Sequence, residues 1–476
     1  MLVSGLTALT LSLVLTSDWP GWRGPDGAGV AAGAPPSRWS EAENVKFKVE
    51  LPGKGLSSPV ILGDTIYVST AVQIGEPEEA AEPEERPGGQ FGGFGGRGGR
   101  GGRGGMGRVA PAEHDFIVMA LSREDGSVRW SQTVKTATPH AGMHSDSSFA
   151  TPTIATDGDI IMASFGSVGV FALTMDGDVA WEMDLGDMNV TGQFGEGSSP
   201  VLFGGRVALL WNHEGESFLV AIDAETGVEA WRQPQPQGTN WSTPMIVQAD
   251  QQVYVVVSGI RTSAYHFGTG EEVWWFGGEV GAPADDPVAQ GGSPEGGRGG
   301  FGGRGGRGGR GGRPQNIIPS PVSAGGMLYL PMRGALNVLA PAGLEGEIPE
   351  EGFAWAEKTD LPGIPSPIVV DDIMYVMKSG NGIISAFDAA SGEKVYGPQR
   401  LDDVQNAYAS PVAAGGNLYF LGRDGTCEVV KAGAEFESLA VNALDDKFDA
   451  SPAVAGDELF LRGHKNLYCI AATSEQ

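Results

Sequence analysis

Apolar and polar positions alternate along this chain in short runs that recur at a nearly regular interval. Each copy begins with Ser or Thr followed by Pro, continues as a short apolar strand, turns at Gly or Asp, and returns as a second strand. The prolines of the eight copies are Pro59, Pro152, Pro200, Pro244, Pro321, Pro367, Pro411 and Pro452. A repeat of about 40 to 50 residues matches one four-stranded propeller blade. The pattern therefore predicts an all-β protein, an eight-bladed β-propeller of four-stranded antiparallel blades.

The second half of most copies reads as a hairpin with an aromatic residue four positions after the turn glycine. In SFLVAIDAETGVEAW, residues 217–231, the glycine supplies the positive φ that a tight turn needs. A large aromatic on an outer strand can wedge between neighbouring blades and bury area that a lone sheet cannot bury. The residues predicted to dock blades in this way are Phe47, Trp130, Trp181, Trp231, Trp274 and Tyr396.

The two ends of the chain are predicted to share one blade. The last copy ends after KNLYCIAA, residues 465–472, which leaves it one strand short of the others. The stretch NVKFKVEL, residues 44–51, supplies an unassigned strand with Phe47 at the aromatic position. We therefore expect the N-terminal strand to complete blade eight and close the ring, which removes exposed sheet edges.

Three segments stand outside the repeat. Residues 1–17 are apolar and too short for a typical membrane span, and we interpret them as a secretory signal peptide, with a buried N-terminal strand as the alternative. Residues 18–476 are then the propeller. Residues 76–110 are predicted to form an acidic and then Gly/Arg-rich disordered insert within blade one, and residues 281–315 a Gly/Arg-rich disordered insert between blades four and five. Both inserts should leave the same face, because second-to-third-strand loops and blade-to-blade loops emerge together.

The charge distribution argues against a nucleic-acid partner. The chain has 31 Lys and Arg against 59 Asp and Glu, a net charge of −28. Without the nine arginines and one glutamate of the Gly/Arg tracts, 22 basic residues stand against 58 acidic ones, a net charge of −36. Such a body repels phosphate backbones. The tracts are expected to be solvated, dispensable loops, with adhesion or partner capture as the alternative.

A basic residue recurs at nearly the same upper turn of blades five to eight. The residues are Arg333, Lys378, Arg423, Arg462 and Lys465. On an acidic body, such an arc would steer an acidic partner, so we consider it a partner-binding rim. The alternative is that exposed turns are simply charged.

The remaining candidate chemistry is sparse. Cys427 and Cys469 occupy equivalent positions in neighbouring repeats, and we expect two buried free thiols, with an inter-blade disulfide as the alternative. The histidines lie in separate upper loops, without the spacing that makes a metal site specific, so no metal site is expected. No catalytic arrangement of Ser, His, Asp or Cys can be assembled from the sequence.

The motif AIDAETGVEAW, residues 221–231, and the N-terminal DWPGWRGPDG, residues 18–27, resemble the pyrroloquinoline-quinone-like (PQQ-like) repeat propellers. The chain is also similar to the propeller component of the bacterial outer-membrane protein assembly machinery. The resemblance implies either a non-catalytic scaffold or a quinone-dependent oxidoreductase. The dehydrogenases of this family use adjacent cysteines and a calcium bound by Glu, Asn and Asp.

Cys427 and Cys469 are not adjacent, and no stretch of the sequence places such a calcium site. We therefore expect an exported, periplasmic or extracellular monomer that binds a protein partner in the cell envelope and needs no cofactor. It should not span the membrane. A PQQ-dependent oxidoreductase, with PQQ and calcium, is the alternative.

Overall fold

Eight sheets form the predicted eight-bladed propeller in the computed structural model, which describes residues 18–75, 108–278, 317–378 and 382–472. Blades one to four consist of Val60–Leu62, Thr65–Gln73, His114–Ser122 and Val128–Ala137; Ala155–Thr156, Ile161–Ser164, Val170–Leu173 and Val179–Met183; Val201–Phe203, Arg206–Trp211, Phe218–Asp223 and Glu229–Pro234; Met245–Ala249, Gln252–Val257, Arg261–His266 and Glu272–Gly277. Blades five to eight consist of Val322–Ala324, Met327–Met332, Ala335–Leu339 and Trp355–Glu357; Ile368–Val370, Ile373–Lys378, Ile383–Asp388 and Lys394–Arg400; Val412–Ala414, Asn417–Leu421, Thr426–Lys431 and Ser438–Ala443; Ala453–Ala455, Glu458–Arg462, Asn466–Ile470 and Val45–Glu50. The predicted fold class is confirmed.

Short elements supplement the blades. Val30–Ala31 pairs in parallel with the first strand of blade seven, and Gly346–Glu347 pairs in parallel with the fourth strand of blade four. Arg108–Val109 pairs with Met143–His144. Single 3₁₀ turns lie at Gly166–Val168, Thr191–Gln193 and Glu350–Gly352.

The burial of each strand follows from its place in the blade. Inner strands are covered on both faces by neighbouring blades, so Leu418 to Leu421 and Leu467 to Ile470 are buried without alternation. The outermost strand of blade eight, Val45–Glu50, buries only Phe47 fully. Near-continuous apolar runs therefore mark inner strands, whereas alternation marks the outer ones.

Ring closure by the N-terminal strand is confirmed. Val45–Glu50 pairs antiparallel with Asn466–Ile470, and Phe47 lies opposite Cys469. The side chain of Phe47 contacts the turn of the next blade, where an added Cβ on Gly126 would lie 2.9 Å from the phenyl ring. The first and last blades are thus joined by strands from both ends of the described chain.

A repeated joint connects one blade to the next. The indole Nε1 atoms of Trp130, Trp181 and Trp231 donate to the carbonyls of Met175, Ala224 and Phe267 in the following blade, at 3.2, 2.9 and 2.9 Å. The turn glycines beneath these rings have positive φ, and a Cβ at any of them would come within 2.6 to 2.9 Å of an indole carbon. A glycine is therefore required at this turn by both its φ and the close approach of the ring.

Two other predicted docking aromatics, Trp274 and Tyr396, also pack against the following blade. Trp274 lies in a cluster with Leu328, Leu330 and Leu339 of blade five. Tyr396 packs on Phe436 of blade seven, with 6.2 Å between ring centroids.

Blade five has a docking aromatic that the sequence pattern missed. Trp355 donates from Nε1 to the carbonyl of Ala389 in blade six at 3.1 Å, over Gly392. The spacing that marks most of the other docking aromatics places a glycine four residues earlier, where blade five has Glu351. The signal that remained was the aromatic itself in the last strand of the repeat.

The N-terminal segment crosses the lower end of the central channel. Trp19 pairs with Ile61 of blade one, and the carbonyl of Gly29 accepts from Ala413 of blade seven at 2.9 Å. Between them, the guanidinium of Arg23 is 1% exposed and donates to the carbonyls of Pro367 and Ala28, both at 2.8 Å. Burial lowers the pKa of Arg23 to about 9. The segment is thus a plug, residues 18–31, anchored by buried hydrogen bonds.

Several sequence-based expectations concern residues outside the described ranges. Residues 1–17, interpreted as a signal peptide, lie outside them, as do residues 76–107 and 279–316, which contain nearly all of the two predicted inserts. The chain leaves blade one after Gly75, between its second and third strands, and leaves blade four after Gly278, before the first strand of blade five. Both exits are at the positions expected from the repeat, on the face called here the upper face. No helix in the described ranges is long and apolar enough to cross a bilayer.

Candidate functional site

Eight hydroxyl side chains surround the central channel, one from the start of each blade. This hydroxyl ring consists of Ser58, Thr153, Ser199, Thr243, Ser320, Ser366, Ser410 and Ser451. Seven of them accept a hydrogen bond from the backbone N–H of the ring member in the preceding blade, at 2.8 to 3.1 Å. The Ser or Thr of the repeat therefore links blades at the inner edge of the propeller.

In blade two, the residues of the repeat align differently in the structure than in the sequence pattern. Its ring member is Thr153, which follows Pro152, whereas in every other blade the ring member precedes the proline. The structural counterpart of Pro200 is thus Ile154, and Pro152 lies two positions earlier. A shift of two residues preserves which side of the strand each side chain faces, so the ring is maintained.

A second tier of side chains lies above the hydroxyl ring, two residues before each ring member. These wall positions are Leu56, Thr151, Gly197, Trp241, Ile318, Ile364, Tyr408 and Asp449. Together with Phe194 and Asp146 from the loops above, they enclose a cavity of about 750 Å³, which we call the central cup. Five of the eight wall positions are large and apolar or aromatic, which is typical of small-ligand and anchor-residue pockets.

The plug forms the floor of the central cup. Trp22 lines both the cup and a smaller cleft of about 300 Å³ on the lower face. The guanidinium carbon of Arg23 lies 5.7 Å from the centroid of the Trp22 ring. The cup is therefore closed from below by a half-buried indole backed by a buried cation.

One side of the cup carries a charged cluster. Arg423 Nε binds Asp449 Oδ1 at 2.5 Å, and its Nη2 binds Asp146 Oδ1 at 3.1 Å, while its guanidinium stacks 3.9 Å from the Tyr408 ring. His464 Nε2 lies 2.9 Å from Asp449 Oδ2. Burial alone would raise the pKa of Asp449, but the hydrogen bonds from His464 and Arg423 outweigh it and hold that pKa below its usual value. The two carboxylates are thus already paired.

The residues of the predicted basic rim differ in exposure and in their ion pairs. Arg333 and Lys465 are exposed at their turns, whereas Lys378 binds Asp360 at 2.5 Å and Arg423 belongs to the cluster beside the cup. The expectation is wrong for Arg462, which is 2% exposed and donates to Ser57 between blades eight and one. Arg462 ends a buried strand, and it fills the space that Gly55 leaves open.

Other candidate groups are dispersed. His140 contacts Asp187 and Met188, and His213 contacts Asn189 and Glu216. In the described part of the chain, no three His, Cys, Asp or Glu side chains are grouped so that they could hold a metal ion. Cys427 and Cys469 are free and buried, and burial raises the pKa of both thiols.

The cup fits the quinone of the PQQ family poorly. PQQ is a planar tricarboxylate, whereas the described lining contributes two carboxylates, Asp146 and Asp449, and no lysine or arginine. The guanidinium of Arg423, beside the upper part of the cup, is occupied by those same carboxylates. The carboxylate of Glu196, which lies behind the wall, accepts from the backbone and hydroxyl of Ser167 at 2.7 and 2.5 Å. The described lining therefore does not complement the charge of this quinone and supports no catalytic step through it.

A buried carboxylate near the upper face yields a pH prediction. Glu428 is fully buried and its Oε1 lacks a described partner, while Oε2 accepts from Asp402 N at 2.7 Å. Burial, with the like charges of Asp402 and Asp403, raises the pKa of Glu428 in the fold. Since the folded pKa exceeds the unfolded one, the wild-type protein loses stability as pH rises from about 4 through the folded pKa.

We therefore expect Glu428→Gln to increase the free energy of unfolding near pH 8 by about 1–3 kcal/mol, with the gain shrinking toward pH 4. Urea denaturation at pH 4.5 and pH 8 measures it. Glu437→Gln on the adjacent strand hairpin, where the carboxylate is 55% exposed, is the matched control and should change little. A gain for Glu428→Gln that is equal at both pH values would contradict the assignment.

Fold and site together define the class: an eight-bladed β-propeller with a ligand-sized cup at the centre of one face. Residues 164–295 match the PQQ-like family model described as outer membrane protein assembly factor BamB. The resemblance inferred from the repeat motifs is thereby confirmed. No curated protein sequence matches this chain.

The structure is similar to solved structures of an assembly factor and of dehydrogenases. BamB from Moraxella catarrhalis matches with a TM-score of 0.50 and 14% identity, over 76% of this chain and 90% of that protein. A europium-containing methanol dehydrogenase matches with a TM-score of 0.58 and 11% identity, over 94% of this chain and 90% of that one. The quinohemoprotein alcohol dehydrogenase from Comamonas testosteroni has the same TM-score and identity, over 97% and 82% of the two chains. At these identities the likeness concerns the fold.

Proposed function

We propose that this protein is an exported, non-catalytic scaffold of the cell envelope that binds a protein partner through the central cup. The observation that carries the proposal is the cup itself: a cavity of about 750 Å³, walled mainly by apolar side chains and closed below by Trp22. A cup of this size accepts one or two anchor side chains, and buried anchors dominate the affinity of many protein interfaces. The family model of an outer membrane assembly factor supports the envelope as the location.

The exposed basic residues contribute a secondary surface in this proposal. Arg333 and Lys465 remain unburied on an otherwise acidic protein, and they can steer an acidic partner toward the upper face. Charges of this kind act mainly on the association rate and its salt dependence. We further propose that residues 1–17 direct export, that the protein is monomeric, and that it works without a resident quinone or calcium.

The test places charge in the cup. Ile318 and Ile364 are half-buried wall residues, so Ile318→Asp with Ile364→Asp should leave the fold intact. A photo-crosslinking amino acid at position 318 in cells identifies the neighbouring envelope protein. Position 228, 64% exposed in the turn before an outer strand, is the control site. With that partner purified, we expect the double variant to bind it at least about tenfold more weakly. The free-energy cost of burying one unpaired charge in the interface is larger than the cost of a tenfold loss of affinity.

Val228→Asp should bind the partner like the wild type. Crosslinks that are the same at positions 318 and 228, or a double variant with unchanged affinity, would refute the cup as the partner site.

A quinone-dependent oxidoreductase is the second candidate. It is favoured by the methanol and alcohol dehydrogenases, whose structures superpose on almost the whole chain. It is disfavoured by the lining of the cup, which does not complement a tricarboxylate. Reconstitution with PQQ and calcium, followed by dye-linked oxidation of alcohols, distinguishes the two: turnover would overturn the scaffold proposal.

A further inference from the structure

The hydroxyl ring has unused hydrogen-bond donors. A hydroxyl group accepts through two lone pairs and donates one proton. The seven inter-blade bonds use only a lone pair of each accepting hydroxyl. Within the described residues, none of the eight ring hydroxyls donates to a protein acceptor, although all of them are at least 94% buried and line the cup. Eight O–H groups without a described acceptor thus surround the bottom of the cup.

A buried positive charge lies beneath the ring without a buried counter-charge. Arg23 Nη1 binds the carbonyl of Pro367, the residue that follows ring member Ser366, so the guanidinium lies just below the ring on the side of blade six. Its hydrogen bonds go to neutral carbonyls, and its Nε has no described partner. The nearest carboxylate, that of Asp26, is on an exposed residue. A buried cation in this state favours an anion nearby.

The walls above the ring determine the chemistry of the part of a ligand that lies outside the ring. Trp241, Ile318 and Ile364 come from the adjacent blades four, five and six and line one side of the cup. Leu56 comes from blade one, across the ring, and all of these side chains offer mainly apolar contact. The charged cluster is confined to the side of Tyr408 and Asp449, where Arg423 is paired with both carboxylates. The cup thus combines a donor-rich bottom with apolar walls.

We propose that the central cup binds a single carboxylate head with an apolar body, the head in the hydroxyl ring and the body against the wall positions. The same chemistry is found in a free aliphatic acid and in the C-terminus of a protein chain whose last residue is apolar. This inference specifies the ligand chemistry of the cup that the proposed function names as the partner site, and it rests on the proposed function only in this respect. A second or third carboxylate would meet the apolar walls, which agrees with the poor fit to PQQ.

The first experiment varies the head group and leaves the protein unchanged. Isothermal titration at pH 7 compares octanoate, octanamide and octylamine, which share one hydrocarbon body. We expect octanoate to bind about tenfold or more tightly than octanamide, the value of one charge-assisted hydrogen bond, and octylamine to bind least. A hexapeptide ending in leucine is compared with the same peptide as its C-terminal amide, and the free acid should bind more tightly by a similar factor.

The two arms separate the two sources of the carboxylate. Tight binding of octanoate with no binding of the peptide assigns the site to free acids, and the converse assigns it to chain termini. Equal affinities for acid and amide in both arms, tighter binding of octylamine, or no binding of either acid would overturn the inference. The crosslinking test of the cup as partner site is independent, so equal affinities for acid and amide would leave the proposed function standing.

The second experiment tests whether the ring hydroxyls cause the preference for octanoate over octanamide. Ser366→Ala with Ser410→Ala removes two donors, and we expect the preference for octanoate over octanamide to fall several-fold. Ser366→Thr with Ser410→Thr should restore it, because blades two and four already use threonine in the ring. Ser391→Ala, at an exposed lower turn, is the control. If the alanine variant loses stability, the threonine variant still reports on the hydroxyls, and a head-group preference lost in the threonine variant would contradict the ring assignment.

Discussion

Trp231→Ala lowers the free energy of unfolding by about 3–5 kcal/mol in the expected outcome, the range for truncation of a buried tryptophan. The ring is 8% exposed, and it fills the joint between blades three and four, where its Nε1 binds the carbonyl of Phe267 at 2.9 Å. Truncation removes this hydrogen bond and leaves a cavity over Gly270. Because each blade is stabilised by its neighbours, we expect the whole propeller to lose stability. Chemical denaturation measures the effect.

Val228→Ala on the same hairpin is the matched control, since Val228 is 64% exposed and should change the free energy of unfolding by less than about 0.5 kcal/mol. Gly270→Ala tests the other side of the joint. Gly270 has a φ of 77°, and a Cβ there would lie 2.6 Å from the indole of Trp231. We expect the two substitutions to be less than additive, because alanine at 231 removes the clash. Strict additivity would show that the indole does not rest on this turn.

Phe47→Glu disrupts the one blade that is built from both ends of the chain. Phe47 is 9% exposed, lies opposite Cys469, and packs over Gly126 of blade one. Glutamate loses the aromatic contact and places an unpaired charge in the joint, so we expect a loss of more than about 4 kcal/mol. Thermal unfolding followed by circular dichroism measures it.

The control is Glu50→Gln in the same strand, where the side chain is exposed. An opened ring would also expose the edge of Asn466–Ile470, so Phe47→Glu is expected to associate in size-exclusion chromatography. A variant that is monomeric and as stable as the wild type would mean that the N-terminal strand contributes little to closure.

The architecture could be predicted from the sequence because the same order of Ser or Thr with Pro, strands and turns recurs in eight copies. The turn glycines and aromatics had fixed spacing, so an error in one copy did not affect the blade count. Blade two shows the limit: Thr151, Pro152 and Thr153 form a local pattern that matches the repeat in two registers. The hydrogen bonds of Thr153 to the neighbouring blades and the pairing of Ala155 with Met162 decide between them.

The candidate site was harder to predict because it depends on which side chains point to the channel axis. Arg462 and Lys465 were grouped by their nearness to one turn, yet the first is buried between blades and the second is exposed. A signal for the cup was present two residues before each ring hydroxyl, where the type of residue changes from blade to blade. Its significance appears only when those positions are placed around a common axis.

The two tiers of the channel separate what the repeat must keep from what it can vary. The hydroxyl tier has one chemical requirement, a Ser or Thr in every blade, because its side-chain oxygens accept from the backbone N–H of the preceding blade. The tier above has none, and it contains glycine, threonine, leucine, isoleucine, tryptophan, tyrosine and aspartate. In the proposed function, each blade thus contributes one variable wall residue to the partner-binding cup. A propeller of this kind can acquire a new specificity by single substitutions in register, while the joints that hold its blades together stay untouched.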